Sequence, residues 1–155
     1  MKSLLGVILV GLFIFGHAEV SGQEKYLCVA ERSTGFAYKE ISKSWENTNF
    51  KTDAKYIISK SDDKQYRFKV TKVGEISPTY ECEKGVNEPG YLHCESMSGQ
   101  FKFNKTNGRF LASCPFGYFN VIPERKRSFE DKSKIPFTDK DSDTPYMEIG
   151  KCSPF

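Results

Sequence analysis

The sequence predicts an all-β domain, an antiparallel meander that closes into a small barrel or folds as a sandwich, stapled by disulfides. Three observations predict it. Short segments of alternating apolar and polar residues are broken by turn residues along most of the chain. Aromatic residues make up 14% of the sequence, with 13 Phe and 8 Tyr, which suits pleated, half-buried surfaces. Five cysteines stand in a chain of 155 residues that shows no convincing amphipathic helix. Closure is favoured because an open meander leaves two edges of unpaired backbone groups. A hydrophobic share of 38% beside 28% charged residues excludes a long disordered chain. The net charge of +3 is no footprint for nucleic acid.

The first residues read as an export signal. Met1-Lys2-Ser3 is a short positive start, and Leu4 to Phe15 is a nearly unbroken apolar run. A helix needs ~20 residues to span a bilayer, so this run suits the centre of a secretory signal instead. Residues 1–22 are therefore expected to be removed, with an alternative cut after Ala18, leaving one β domain over residues 23–155. The first cysteine, Cys28, lies too far beyond the run for a lipoprotein anchor. No later segment is apolar enough for stable membrane insertion, and a periplasmic or secreted, oxidising location is expected.

The mature chain opens with a strand over Tyr26–Glu31, followed by Ser33-Thr34-Gly35 and then Phe36–Lys39. Tyr56–Ser59 and the alternating Tyr66, Phe68 and Val70 form a half-buried hairpin about Ser61–Lys64. Phe101–Asn104 and Arg109–Cys114 flank Asn107-Gly108, the strongest short hairpin signal in the chain. Gly117–Ile122 and Tyr146–Lys151 bring the expectation to about nine to eleven strands. Residues 123–144, rich in charge and proline, read as one long surface loop.

Side-chain alternation narrows the pairing of the cysteines. Placing Leu27, Val29, Met147 and Ile149 inside puts Cys28 and Cys152 outside, where they can pair with each other. Cys82 and Cys94 share the inward face of one hairpin. Cys94 and Cys114 are separated by the Phe101–Asn104 strand, and two strand spacings, about 9–10 Å, exceed what a disulfide tolerates. The expected bridges are Cys28–Cys152 and Cys82–Cys94, with Cys114 as a buried free thiol.

Chemistry is sparse. His93 is the one histidine beyond the export signal, and alternation sets it on the face opposite Cys94 and Cys114, so no Cys–His nucleophile and no zinc site is expected. Asp139, Asp141 and Asp143 alternate as in a calcium loop, but Thr144 stands where that loop needs Gly and Gly150 where it needs Glu. A solvated acidic turn is the preferred reading there. Arg125-Lys126-Arg127 forms a basic cluster, and Glu88-Pro89 marks the tip of the Glu83–Gly90 turn. These two loops are the candidate partner contacts, since rigid scaffolds display function on loops. Trp45, Phe36, Tyr38, Phe50, Phe101, Phe103, Phe110 and Phe119 could line a cavity, although small barrels are usually filled by such residues.

The layout Cys28-Val29-Ala30, Gly35-Phe36, Trp45, Phe50 and Lys55-Tyr56-Ile57 resembles a family of small exported proteins of Gram-negative bacteria with no assigned function. The tail Asp143-Thr144-Pro145-Tyr146-x-Glu148-Ile149-Gly150-Lys151-Cys152 is the most specific part of that resemblance. It implies a periplasmic address and no activity. Tyr26-Leu27-Cys28 and Ser98-Gly99-Gln100-Phe101 are similar to elements of periplasmic inhibitors of C-type lysozyme, which are small disulfide-tied barrels. Lipocalins share the meander, but their Gly-x-Trp is not matched around Trp45.

The expectation is an exported, non-enzymatic, barrel-like binding or envelope-associated module without a cofactor. The alternatives are a protein inhibitor of a hydrolase such as lysozyme, or a carrier of a small apolar ligand.

Overall fold

The computed structural model describes residues 24–116, 118 and 144–155. Among them are nine strands and no helix: β1 (Tyr26–Lys39), β2 (Ser44–Asn49), β3 (Lys55–Lys60), β4 (Phe68–Lys72), β5 (Tyr80–Cys82), β6 (Tyr91–Glu95), β7 (Gln100–Asn104), β8 (Arg109–Cys114) and β9 (Tyr146–Pro154). All pairings are antiparallel, in the order β2-β1-β3-β4-β5-β6-β7-β8-β9, and β1 also pairs with β9. Eight strands therefore close into a barrel, and β2 extends the sheet from the far half of β1. Of the two architectures expected, the barrel is the one formed. Closure removes the edges that a meander would expose.

The barrel is closed by β1 and β9, whose register runs from Tyr26↔Pro154 to Gly35↔Tyr146 with a bulge between Ala30 and Arg32. Ser33-Thr34-Gly35 is thus not a break: β1 continues through it, bends at the bulge, and leaves the barrel to pair with β2. Bulges sharpen twist and let a long strand serve two neighbours. Gly35 lies where the last β1–β9 pair forms, and a Cβ there would sit 2.1 Å from the Pro145 carbonyl oxygen. The β3–β4 and β7–β8 hairpins form where alternation and Asn107-Gly108 place them, with Gly108 at φ 67°.

Both disulfides join residues that face each other across neighbouring strands, Cys28–Cys152 between β1 and β9 and Cys82–Cys94 between β5 and β6. The pairs are those expected, but the faces of β1 and β9 are reversed. Cys28 is fully buried and Cys152 nearly so, whereas Leu27, Val29, Met147 and Ile149 are 37–46% exposed. The seam disulfide is therefore an interior one. The pairing survives because directly opposed residues share a face whichever face that is.

Inside, Tyr56, Tyr80, Phe101 and Phe110 pack as one ring cluster with centroids 5.1–6.5 Å apart, and Tyr26 packs on Phe103 at 4.9 Å. Ile58, Val70 and Leu92 are buried among them, with Phe68 and the four bridged cysteines. Trp45 and Phe36 take no part in it. Phe36 is 53% exposed, and Trp45 stacks edge-on between Tyr38 and Tyr118 on the β1–β2 extension. Phe50 is half-buried next to that extension, and Phe119 lies outside the described residues.

Candidate functional site

Strand direction gives the barrel two unlike ends. One end gathers the turns Ser61–Arg67, Glu83–Gly90 and Lys105–Gly108 together with Glu24. These segments frame an open cleft of about 1330 Å³. Its apolar floor is Phe68, buried, and Val86, which packs against the core. Its rim carries charges of both signs, Lys60, Lys64, Arg67 and Lys105 beside Glu24, Asp62, Asp63 and Glu88.

Local hydrogen bonds hold these turns in shape. Asp63 Oδ1 accepts from the Gln65 amide at 2.9 Å, and the Ser61 amide donates to the Arg67 carbonyl at 3.1 Å. Such an Asx turn is what Asp supplies between two strands. In the next turn the Gly90 amide donates to the Asn87 carbonyl at 2.9 Å, and Asn87 Oδ1 accepts from the Tyr91 amide at 2.7 Å. This leaves Glu88 and Pro89 exposed at the tip. Gly90 has φ 90°, and a Cβ on it would meet Thr106 Oγ1 at 2.6 Å, so the second and third turns lean on each other there.

Ion pairs shape the rim. Lys105 donates to Glu24, which also accepts from the Tyr26 hydroxyl at 3.1 Å. The Lys105 ammonium holds the Glu24 carboxyl below its ordinary range, and Glu24 in turn raises Lys105. Burial, and then the bond to Glu24, pushes the Tyr26 phenol up. Lys69 binds Asp62 at 2.5 Å and lowers its pKa. Lys60, Lys64, Arg67, Asp63 and Glu88 make no ion pair among the described residues.

Towards the other end lies a buried polar cluster that alternation alone did not reveal. Glu148 is 7% exposed and accepts a 2.6 Å hydrogen bond from the Tyr56 hydroxyl. Burial, reinforced by Glu148, raises the Tyr56 phenol far above its ordinary value. Burial and then the neighbouring Tyr146 do the same to Tyr80. Tyr146 is also raised, by burial and then by the Cys114 thiol. Cys114 keeps its thiol and is half-buried at the end of β8, rather than fully buried as expected. In this cluster the Tyr56 hydroxyl is the donor to the Glu148 carboxylate.

Of the loop residues singled out from sequence, Glu88 lines the cleft and Pro89 sits beside it at the turn tip. Arg125, Lys126 and Arg127 lie outside the described residues, as do Asp139, Asp141 and Asp143 and the export segment 1–22. His93 is exposed on the outer face of β6, opposite in direction to Cys94. Among the described residues no group of three or more His, Cys, Asp or Glu could hold a metal, and no helix is long and apolar enough to cross a membrane. The two disulfides are of the kind that persists in an oxidising compartment. No protein-family model, curated protein or solved structure matches the chain.

Proposed function

We propose that the chain is an exported, non-enzymatic binding module that takes a protein partner across the charged mouth of its barrel. The observation that carries this reading is the contrast between the two spaces. The interior is occupied by interlocking rings, while the mouth offers an open cleft with an apolar floor and a rim of both charge signs. An apolar floor ringed by charges is the usual anatomy of a protein-binding patch. The filled interior favours a surface partner over a small apolar cargo. The periplasmic or secreted address rests on the N-terminal apolar run and is supported by the disulfides.

Crosslinked capture from intact envelopes of the source cells tests the reading. Wild type is compared with the mouth variant Lys64→Glu/Arg67→Glu/Glu88→Lys. A reproducible partner that the variant loses supports the mouth. Capture of nothing, or of a partner the variant retains, overturns it. C-type lysozyme is the first purified hydrolase to add, because an inhibitor is the binding module most similar in short motifs.

A further inference from the structure

The reversed faces of β1 and β9 place an unusual pattern on the outer wall. Across four neighbouring strands, one row reads Lys55–Val29–Lys151–Arg109. The adjacent row reads Arg32–Ile149–Leu111–Lys102. Five cations thus enclose a centre of Val29, Ile149 and Leu111, and Met147 extends it on β9. Lys151 and Arg109 stand directly opposite each other, an arrangement that costs stability in a sheet. Among the described residues the carboxylate paired with these cations is Glu31, 3.9 Å from Lys151.

The barrel's far wall carries carboxylates. Glu81 and Glu95 face each other across β5 and β6, and Glu83 follows on the same outward face. Lys69 on β4 stands directly opposite Glu81, so that wall is mixed in sign, whereas cations gather on the β1–β9–β8 wall of a chain that carries only +3. An anionic plane would attract the β1–β9–β8 wall more strongly than the mixed one, and so would bias the orientation of the molecule.

We propose that the β1–β9–β8 wall is a peripheral docking surface for an anionic phospholipid bilayer. Lys102, Arg109 and Lys151 meet headgroup phosphates, while Val29, Ile149 and Met147 enter the headgroup boundary. A phospholipid surface offers anions and apolar matter together, which is the combination this wall displays. The β5–β6 wall of a second copy would instead set Glu81, Glu83 and Glu95, with Lys69 beside them, against the apolar centre. The proposal is independent of the mouth.

The test is sedimentation of the purified mature protein with vesicles of equal parts phosphatidylglycerol and phosphatidylcholine, beside vesicles of phosphatidylcholine alone. Binding to the first and little to the second is expected. Lys102→Glu/Arg109→Glu/Lys151→Glu should weaken it on the order of a hundredfold. Raising salt from about 0.1 M to about 1 M should also release the protein. Ile149→Ser should weaken binding without changing its salt dependence. The mouth variant should bind as wild type, so the two proposals fail separately. Equal binding to both vesicles, none to either, retention by the folded charge-reversal variant, or concentration-dependent self-association that the reversal abolishes would overturn the proposal. Unchanged far-ultraviolet circular dichroism and melting establish that a variant is folded.

Discussion

The hydroxyl of Tyr56 and the carboxylate of Glu148, 92 residues apart in sequence, share a 2.6 Å hydrogen bond inside the barrel. One partner comes from β3 and the other from β9, the strand that closes the sheet. Glu148 is the only charged residue among the buried side chains of the described residues, and Tyr56 lies at the centre of the ring cluster. Chain closure and core packing therefore meet at this bond.

Tyr56→Phe removes the donor and leaves the carboxylate buried. A hydrogen bond to a charged group contributes about 1.5–3 kcal/mol, so urea denaturation should show a loss of roughly 2 kcal/mol. Glu148→Gln keeps an acceptor for Tyr56 and removes the charge, and it should cost less. Equal stability of Tyr56→Phe and wild type would show that the bond does not form.

Alkali gives an independent reading of the same interior. The Tyr56 and Tyr80 phenols have folded pKa values raised above the ordinary value, chiefly by burial. The native state thus holds protons that the unfolded state releases above about pH 10. Their contribution is complete below that pH and is lost as the pH rises beyond it, with a slope of about 1.4 kcal/mol per pH unit for each tyrosine. Tyrosinate absorbance should show these two ionising only as the protein unfolds. Titration of all eight tyrosines near pH 10 with the fold intact would contradict this burial.

Gly150→Ala addresses the seam. A Cβ there would meet the Val29 carbonyl oxygen at 2.1 Å and the Phe110 ring at 2.7 Å. The obstacle on one side is backbone and on the other a packed ring, so neither yields cheaply. A destabilisation of at least about 1–3 kcal/mol is expected in thermal or urea unfolding. Neutrality would mean that β1 and β9 do not approach as closely as described.

Reduction should separate the two bridges by their contributions. Loop-entropy estimates give nearly 5 kcal/mol for Cys28–Cys152, with a sequence separation of 124, and about 3 kcal/mol for Cys82–Cys94, with a separation of 12. Paired Cys→Ala variants measured by urea unfolding should follow that order. The reverse order would indicate that the seam bridge does not constrain the unfolded chain as a long loop does.

Much of the architecture is legible in sequence because β4, β6 and β7 alternate and Asn107-Gly108 fixes a turn. The faces of β1 and β9 are not legible in the same way. On β1 both parities are apolar, Leu27 and Val29 against Cys28 and Ala30, so hydrophobicity cannot choose between them. On β9 the inward set is Tyr146, Glu148, Gly150 and Cys152, which looks outward by composition. Glu148 is inside because Tyr56 satisfies it, a contact made across the barrel and invisible to local periodicity. At the mouth the turns about Ser61–Lys64, Glu88-Pro89 and Asn107-Gly108 are legible one by one. Its floor, Phe68 and Val86, is brought together by strand closure. The basic outer wall is not legible in sequence because its cations come from five strands and meet only through register.

The central claim is that the first and last strands lie side by side, with their cysteines opposed inside a closed barrel. Peptide mapping of the non-reduced protein by mass spectrometry tests it most directly. The predicted result is one peptide pair joining Cys28 to Cys152, a second joining Cys82 to Cys94, and Cys114 recovered as an alkylatable thiol after denaturation. A bridge from Cys28 to any other cysteine would contradict the seam and the barrel with it.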